Sequence, residues 1–304
     1  MQTPKRNFFK TGIIHFMAFP ETIGGEGPVV ETVKRIVTDD YFDAISVSWI
    51  KDAGARRDVA KMFAQSQMTV AYGAHPRLLS QGLNLNHLDK AERAKALATL
   101  KEGVDEALEI GASSFVFLSG KWEEATKEDS YKALVESTLE LCEYAKSQGD
   151  LEMVHENFDQ DIDKASLIGP TPLAVRYAEE VRKSFPGFGL LVDLSHIPLI
   201  GESPREALLP VKDLLATVDI GNCVKADPSL PRYGDTHPCF GYPNGENDVR
   251  ELVEFLQVLL DIRFLNENNP PVVSFEVRPG EGEDSEVTIA NSKRTLNAAW
   301  ARVD

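Results

Sequence analysis

Residues 189–195 read GLLVDLS, an apolar run of branched side chains that ends on an aspartate, a leucine and a serine. Short apolar runs bounded by small and polar residues are typical of strands buried on both faces of a parallel sheet. Seven other runs of this kind occur along the chain, at residues 11–19, 42–49, 68–75, 113–120, 151–157, 216–222 and 271–277. The sequence therefore predicts eight strands.

Amphipathic stretches separate the predicted strands. The clearest occupy residues 87–112 and 127–149, where apolar residues recur at spacings of three and four and predict helices. Eight strand and helix pairs in 304 residues, with no linker or change of composition, favour a single α/β domain over residues 1–304, a (β/α)8 TIM barrel. The alternative is an open doubly wound sheet. The stretch nearest to its glycine-rich turn, IGGEGPV at 23–29, does not match GxGxxG and is expected to form a loop over the barrel mouth.

Composition excludes several classes of protein. The chain has 48 acidic and 32 basic side chains, and its formal net charge of −16 argues against a nucleic-acid partner. Its three cysteines, Cys142, Cys223 and Cys239, have neither a disulfide-framework nor a zinc-finger spacing, which favours a reducing compartment. No apolar run reaches the roughly 20 residues that span a bilayer, so we expect a soluble, cytoplasmic protein without a membrane partner. The oligomeric state stays open, a homo-oligomer included.

Four acidic residues fall at the ends of consecutive predicted strands. Successive side chains of a strand point to opposite faces, so if the alternating apolar residues face the helices, the acids face the barrel axis. These acids are Glu156, Asp193, Asp219 and Glu276. The carboxyl ends of barrel strands form the active-site face. Carboxylates that converge there repel one another unless a cation or protons neutralise them, and an all-oxygen ligand set suits Mg²⁺ or Mn²⁺. The alternative is that some of them cap helices or pair with basic side chains.

Three motifs carry a resemblance to a known family. HENFD (155–159), VDLSH (192–196) and FEVRP (275–279) resemble the metal-site strands of the xylose-isomerase-like TIM-barrel superfamily of sugar isomerases and epimerases, which also contains the family 2 AP endonucleases. The resemblance covers nearly the whole chain. It implies a Glu–Asp–His–Glu set that binds Mn²⁺ or a similar ion, in which Glu156, Asp193 and Glu276 match and the two glutamates double as acid and base.

The third ligand departs from that pattern. The family's seventh strand usually offers His-x-His, whereas this chain has ATVDIGN at 216–222, with Thr217 and Asp219 at those two positions. Four carboxylates around one divalent ion leave a net charge of −2 that needs a proton or a nearby cation. Either Asp219 is an unusual ligand, or His237 enters from the next loop, or the metal site is weakened.

Further polar residues lie near the predicted barrel mouth. The loop at 225–248 is long for a strand–helix connection, and long loops on this face usually carry function. We expect these side chains to bind substrate: His15, His75, His196, Lys225, His237 and Arg278. For the histidines the alternatives are burial against backbone groups, support of the metal ligands, or, for His237, a place at the surface.

These features predict a metal-dependent isomerase or epimerase of carbohydrate metabolism. A Mn²⁺, Mg²⁺ or Co²⁺ ion would chelate a carbonyl and a neighbouring hydroxyl of a sugar or keto-sugar, while Glu156 and Glu276 transfer the proton through an enediolate. Two alternatives stay open. One is a lyase that cleaves C-glycosidic bonds of keto-glycosides by the same proton abstraction, and the other is a metal-free barrel that binds a sugar or a protein.

Overall fold

The computed structural model describes residues 3–304, in which eight parallel strands form one sheet. The strands are β1 (Lys10–Ile13), β2 (Ala44–Val47), β3 (Thr69–Gly73), β4 (Ser114–Leu118), β5 (Glu152–Glu156), β6 (Gly189–Asp193), β7 (Leu215–Ile220) and β8 (Val272–Phe275). Their order is β1-β8-β7-β6-β5-β4-β3-β2. A parallel bridge between Ile14 and Ser46 and a bond of 2.8 Å from the Asp43 amide to the Thr11 carbonyl join β1 to β2. The sheet is thus a closed (β/α)8 TIM barrel, as predicted.

Helices follow the strands on the outside of the barrel and at its carboxyl-terminal face. They are α1 (His15–Ala18), α2 (Val29–Val37), α3 (Ala53–Ser66), α4 (His75–Leu79), α5 (Lys90–Glu109), α6 (Lys127–Gln148), α7 (Thr171–Arg182), α8 (His196–Ile200), α9 (Pro204–Leu208), α10 (Val249–Asp261) and α11 (Ser285–Trp300). None of those in the described part of the chain is long and apolar enough to cross a membrane.

The first and third predicted strands are too long. The strand predicted over 11–19 ends at Ile13, and the apolar residues that follow begin the short helix α1 at His15. The strand predicted over 68–75 ends at Gly73, and His75 begins α4. Apolar composition alone does not distinguish a buried strand from a short buried helix, which explains both errors. As a result, two histidines begin helices.

The two faces of the barrel wall are packed differently. The outer face joins the helices in one large apolar core, which includes Leu190, Val192, Val218 and Phe275. The inner face holds a small cluster of Val116, Val154 and Leu191, packed against Ala216. Elsewhere its side chains are small: Ala44, Ser46, Ala71, Gly73, Ser114, Thr217 and Ser274. They leave a cavity that extends up to the strand ends.

Candidate active site

Strands β5 to β8 bring their acids to one end of the barrel. Glu156 and Asp193 are the last residues of β5 and β6, Asp219 pairs in register with Asp193, and Glu276 directly follows β8. Glu156, Asp219 and Glu276 line the inner cavity, as the parity of these strands predicts. One carboxylate oxygen from each of Glu156, Asp193 and Glu276 lies within 4.8 Å of the others. The strand ends therefore gather a three-carboxylate cluster.

Burial makes this cluster costly without a cation. Desolvation raises the pKa of Asp193, although His196 and His237 act in the opposite direction. Desolvation, with repulsion from Glu156 and Asp193, raises the pKa of Glu276 well above its ordinary value. The Oε1 atom of Glu156 is buried without a hydrogen-bond partner. Mutually repelling carboxylates and an unpartnered buried oxygen fit a divalent ion with oxygen ligands.

Asp219 is set apart from that cluster. Among the described residues, two groups have ligand atoms within 4.8 Å of one another, Glu156–Asp193–Glu276 and Asp193–His196–His237, and neither includes Asp219. Asp219 pairs in register with Ser274 on the neighbouring strand β8. Burial, with the charges of Glu156 and Asp193, raises the pKa of Asp219 well above its usual range, which favours the neutral form.

His196 begins helix α8, three residues after Asp193, and its ring is buried among acids. Its Nδ1 lies 3.0 Å from the Asn157 carbonyl oxygen and 3.4 Å from Oε1 of Glu156. Its Nε2 lies 3.1 Å from Oδ1 of Asp235 and 3.5 Å from Oδ2 of Asp193. Burial alone would lower the pKa of His196, but Asp235 and Asp193 outweigh it and raise the pKa to about 10. In the absence of a metal ion, the surrounding carboxylates therefore favour the protonated form of His196.

The β7–α10 loop brings His237 into the same site. Its Nδ1 lies 3.4 Å from the Ser195 hydroxyl and 3.8 Å from Oδ2 of Asp193, and its Nε2 lies 3.6 Å from Oε1 of Glu276. The backbone of His237 has a positive φ of 49°, a conformation that non-glycine residues seldom adopt. Gly221 makes room for the ring, since a Cβ there would stand 3.0 Å from Nδ1. The interpretation of His237 as a surface histidine is therefore wrong, because the residue is 1% exposed.

Sequence reasoning missed Asp235 and Lys164. Asp235 Oδ1 lies 2.8 Å from Nε2 of His237, and its Oδ2 lies 2.9 Å from Nζ of Lys164 on the β5–α7 loop. Burial would raise the pKa of Asp235, but the two imidazoles and Lys164 hold it well below its ordinary range. Desolvation acts against the charge of Lys164, whereas Asp235 and Asp163 raise its pKa above the usual value. These residues lie on loops, where neither strand parity nor helical spacing fixes the direction of a side chain.

Of the other predicted substrate-binding residues, only His75 reaches the mouth. It lines the cavity, and its Nε2 lies 3.0 Å from Oε2 of Glu156. His15 instead faces α2, where its Nε2 lies 2.8 Å from the Thr32 hydroxyl and burial lowers its pKa to about 3. Lys225 extends outward, and its Nζ donates to the Pro198 carbonyl at 2.5 Å. The side chain of Arg278 is exposed.

Those three placements correct the predictions and have simple causes. The expectation for His15 assumed a strand that continues past Ile13. Lys225 and Arg278 follow the ends of β7 and β8, where strand parity no longer applies. The backbone of Arg278 still contributes to the site, because its amide donates to the His237 carbonyl at 2.7 Å.

Comparison with known proteins gives the family and the fold. A family model described as a xylose isomerase-like TIM barrel matches residues 35–288. A search of curated proteins found no match. Several solved structures match over nearly their whole length. One is a D-psicose 3-epimerase from Clostridium cellulolyticum with D-tagatose (15% identity, TM-score 0.71, 97% of this chain and 100% of that one). Others are a 3-keto-D-glucoside 4-epimerase from E. coli (15% identity, TM-score 0.68, 95% and 99%) and the IolI protein with a zinc atom (15% identity, TM-score 0.68, 96% and 99%). At such identities the likeness establishes the shared fold.

Proposed function

Since this chain belongs to the xylose isomerase-like TIM barrel family, we propose that it is a divalent-metal-dependent epimerase or isomerase of a sugar or keto-sugar. The observation that carries the proposal is the cluster of Glu156, Asp193 and Glu276 at the carboxyl ends of the strands, within 4.8 Å of one another. The names of structural neighbours support it, because they include a D-psicose 3-epimerase and a 3-keto-D-glucoside 4-epimerase.

The three carboxylates would hold Mn²⁺, Mg²⁺ or Co²⁺, and a neighbour with bound zinc supports a metal site in this fold. When bound, the ion would polarise a substrate carbonyl and acidify the neighbouring C–H bond. Glu156 on β5 and Glu276 after β8 stand on separate strands. One is proposed to remove the proton from the substrate carbon and the other to return a proton to the enediolate, on the opposite face for epimerisation.

Two neighbouring histidines are proposed to serve the site, His75 by binding a substrate oxygen and His196 by holding the carboxylates. His75 is partly open to the cavity and contacts Glu156, so it can hydrogen-bond a substrate oxygen and hold that carboxylate in position. His196 fixes Glu156 and Asp193 from the other side. None of the described residues that line the cavity is Lys or Arg. A phosphate group would lack a cation there, which supports an unphosphorylated substrate.

Proton exchange tests the proposal directly. The Mn²⁺-loaded protein is incubated in D₂O with free ketohexoses and, separately, with 3-keto-glucosides, and the products are followed by NMR. We expect a product that carries deuterium and in which a stereocentre is inverted or the carbonyl group has moved. Treatment with EDTA should abolish both the conversion and the incorporation of deuterium. Release of an aglycone without interconversion of sugars would identify a lyase. Sugar binding that EDTA does not change, with no exchange in any substrate, would identify a binding barrel.

A further inference from the structure

We infer that the hollow axis of the barrel, below the clustered acids, is a substrate subsite that holds the non-reacting end of an open-chain sugar. The inference rests on the proposed function and deepens it, because it names the kind of substrate that the site accepts. That substrate is a slim, uncharged polyol chain, as in a free ketose, and not a sugar whose ring is locked as a glycoside.

The interior of this barrel is emptier than the fold usually allows. In most (β/α)8 barrels, layers of bulky branched side chains fill the axis. Here Ser46, Ala71 and Ser114 are register partners on three adjacent strands, β2, β3 and β4, and all three line the cavity. Ala71 is partly exposed although it lies in the middle of β3. The cavity therefore continues into the barrel below its mouth.

The cavity connects the clustered acids with the opposite end of the barrel. Glu156 lines it at the carboxyl end of β5, and Glu152 lines it at the amino end of the same strand. Ala71 stands two residues before the end of β3. At the rise and tilt of barrel strands this places Ala71 about 5–7 Å below the strand ends. A sugar held by its reacting carbons at the acids would extend the rest of its chain to that depth.

Barrel geometry limits the width of the subsite. The interior of an eight-stranded barrel is just wide enough for its own side chains to fill. Where those side chains are serine and alanine, the space left is that of the missing branched side chains. Such a space admits an extended chain, whereas a pyranose ring is broader than an aliphatic side chain. A ring-locked sugar is therefore excluded from the axis.

The wall offers both kinds of contact that a polyol chain needs. Val116, Val154 and Leu191 form an apolar cluster that lines the cavity and can pack against C–H groups. The hydroxyl groups of Ser46 and Ser114 also line it, and each can donate one hydrogen bond and accept two. A chain of alternating carbon and hydroxyl groups matches this mixed surface.

Charge restricts the far end of the chain. Glu152 lines the cavity there, and neither lysine nor arginine occurs among the described lining residues. A terminal phosphate or carboxylate would therefore approach a like charge without a counter-ion. The subsite favours a chain that ends in a neutral hydroxyl group.

Binding of acyclic polyols tests the subsite without relying on turnover. The Mn²⁺-loaded, full-length protein is titrated by calorimetry with erythritol, xylitol and sorbitol, which have four, five and six carbons. Ala71→Leu fills the axis, Ser114→Ala removes a hydroxyl group, and Ala98→Leu at an exposed position on α5 is the matched control. Ala71→Leu should weaken sorbitol binding at least about tenfold and erythritol binding less than about threefold. Ser114→Ala should weaken sorbitol binding about 2–10-fold, and the control should leave it unchanged.

Two further readouts separate a blocked subsite from a damaged protein. Leucine at position 71 fills an existing void, so the melting temperature should stay the same or rise. The Mn²⁺ dissociation constant should not change, because the acids lie at the strand ends. If Ala71→Leu does not fold, the smaller Ala71→Val takes its place. The inference is overturned if wild type binds sorbitol no more tightly than erythritol, or if the folded filling variant binds all three polyols as wild type does or weakens all three equally.

Turnover then distinguishes this inference from the proposed function. If the dependence on chain length holds and no sugar is epimerised or isomerised, the subsite stands and the proposed reaction is wrong. If wild type converts 3-keto-glucosides and not free ketoses, the proposed reaction stands and the subsite falls.

Discussion

Replacement of Glu276 by glutamine tests the central chemical assignment. Glutamine keeps the size and shape of the side chain but carries no charge and accepts no proton. The backbone amide of Glu276 donates to the Ile220 carbonyl at 3.0 Å, a bond that the substitution leaves in place. We therefore expect a folded variant whose turnover is abolished.

The magnitude follows from the role of the carboxylate. Loss of a general acid or base costs about 10²–10⁴ in rate, which corresponds to about 2.7–5.4 kcal/mol in the activation barrier. Glu276 is also one of three clustered carboxylates, so metal affinity should fall as well. Assays are therefore run at Mn²⁺ concentrations that saturate the variant, as established by calorimetry. The rate loss that remains measures proton transfer.

A half-reaction makes the prediction sharper. Glu156 ends β5, three strands away from β8 in the sheet, and can still act on its own face of the substrate. In D₂O, Glu276→Gln should exchange the substrate proton from one epimer without inverting it, and Glu156→Gln should do so from the other epimer. Glu281→Gln, at an exposed position five residues further on, is the matched control and should keep full activity. A saturated Glu276→Gln variant that retains more than a tenth of the wild-type rate would remove Glu276 from the mechanism.

Three other predictions concern stability. Arg77 donates to the buried Glu106 at 2.8 Å, so Arg77→Leu leaves that carboxylate without its cation. This variant should lower the free energy of unfolding, measured by urea titration, by about 3–5 kcal/mol. Arg57→Leu, at an exposed position, should change it by less than about 0.5 kcal/mol. Burial lowers the pKa of His155 to about 3, so the unfolded state binds more protons than the folded state between about pH 6.5 and 3. The free energy of unfolding therefore falls as the pH drops through this range. His155→Leu should reduce the slope of that free energy against pH by about 1.4 kcal/mol per pH unit, whereas His87→Leu, at an exposed position, should leave the slope unchanged. Mn²⁺ at 100 times its dissociation constant should add about 2.7 kcal/mol to stability and raise the melting temperature; an unchanged melting temperature would contradict a metal site.

Regular structure was predictable because its periodicity is local. The inward direction of Glu156, Asp193 and Glu276 follows from the alternation of side chains along strands whose outer faces are apolar. The arrangement of the strands then follows from the barrel, since consecutive parallel strands end at one face. Those two rules were enough to find three acids that the structure brings together.

Loop residues could not be found in the same way. Asp235 and Lys164 lie on different loops, 71 positions apart in the sequence, and they meet only because the β5–α7 and β7–α10 loops pack against each other. The one sequence signal was the length and polarity of the segment 225–248, which points to function but not to a side-chain direction. For the same reason Lys225, six residues beyond Asp219, was placed in the mouth although its amine reaches Pro198.

Charge balance connects the loop residues to the strand acids. Glu156, Asp193 and Asp235 surround the ring of His196, and Asp235 also pairs with the partly exposed Lys164. A divalent ion bound by Glu156, Asp193 and Glu276 would offset two of their three negative charges. An ionised Asp219 would add a further negative charge beside Glu156 and Asp193, which a low-dielectric interior opposes. Burial and the charges of Glu156 and Asp193 raise the pKa of Asp219, and this shift towards the neutral form explains why an aspartate is tolerated on β7.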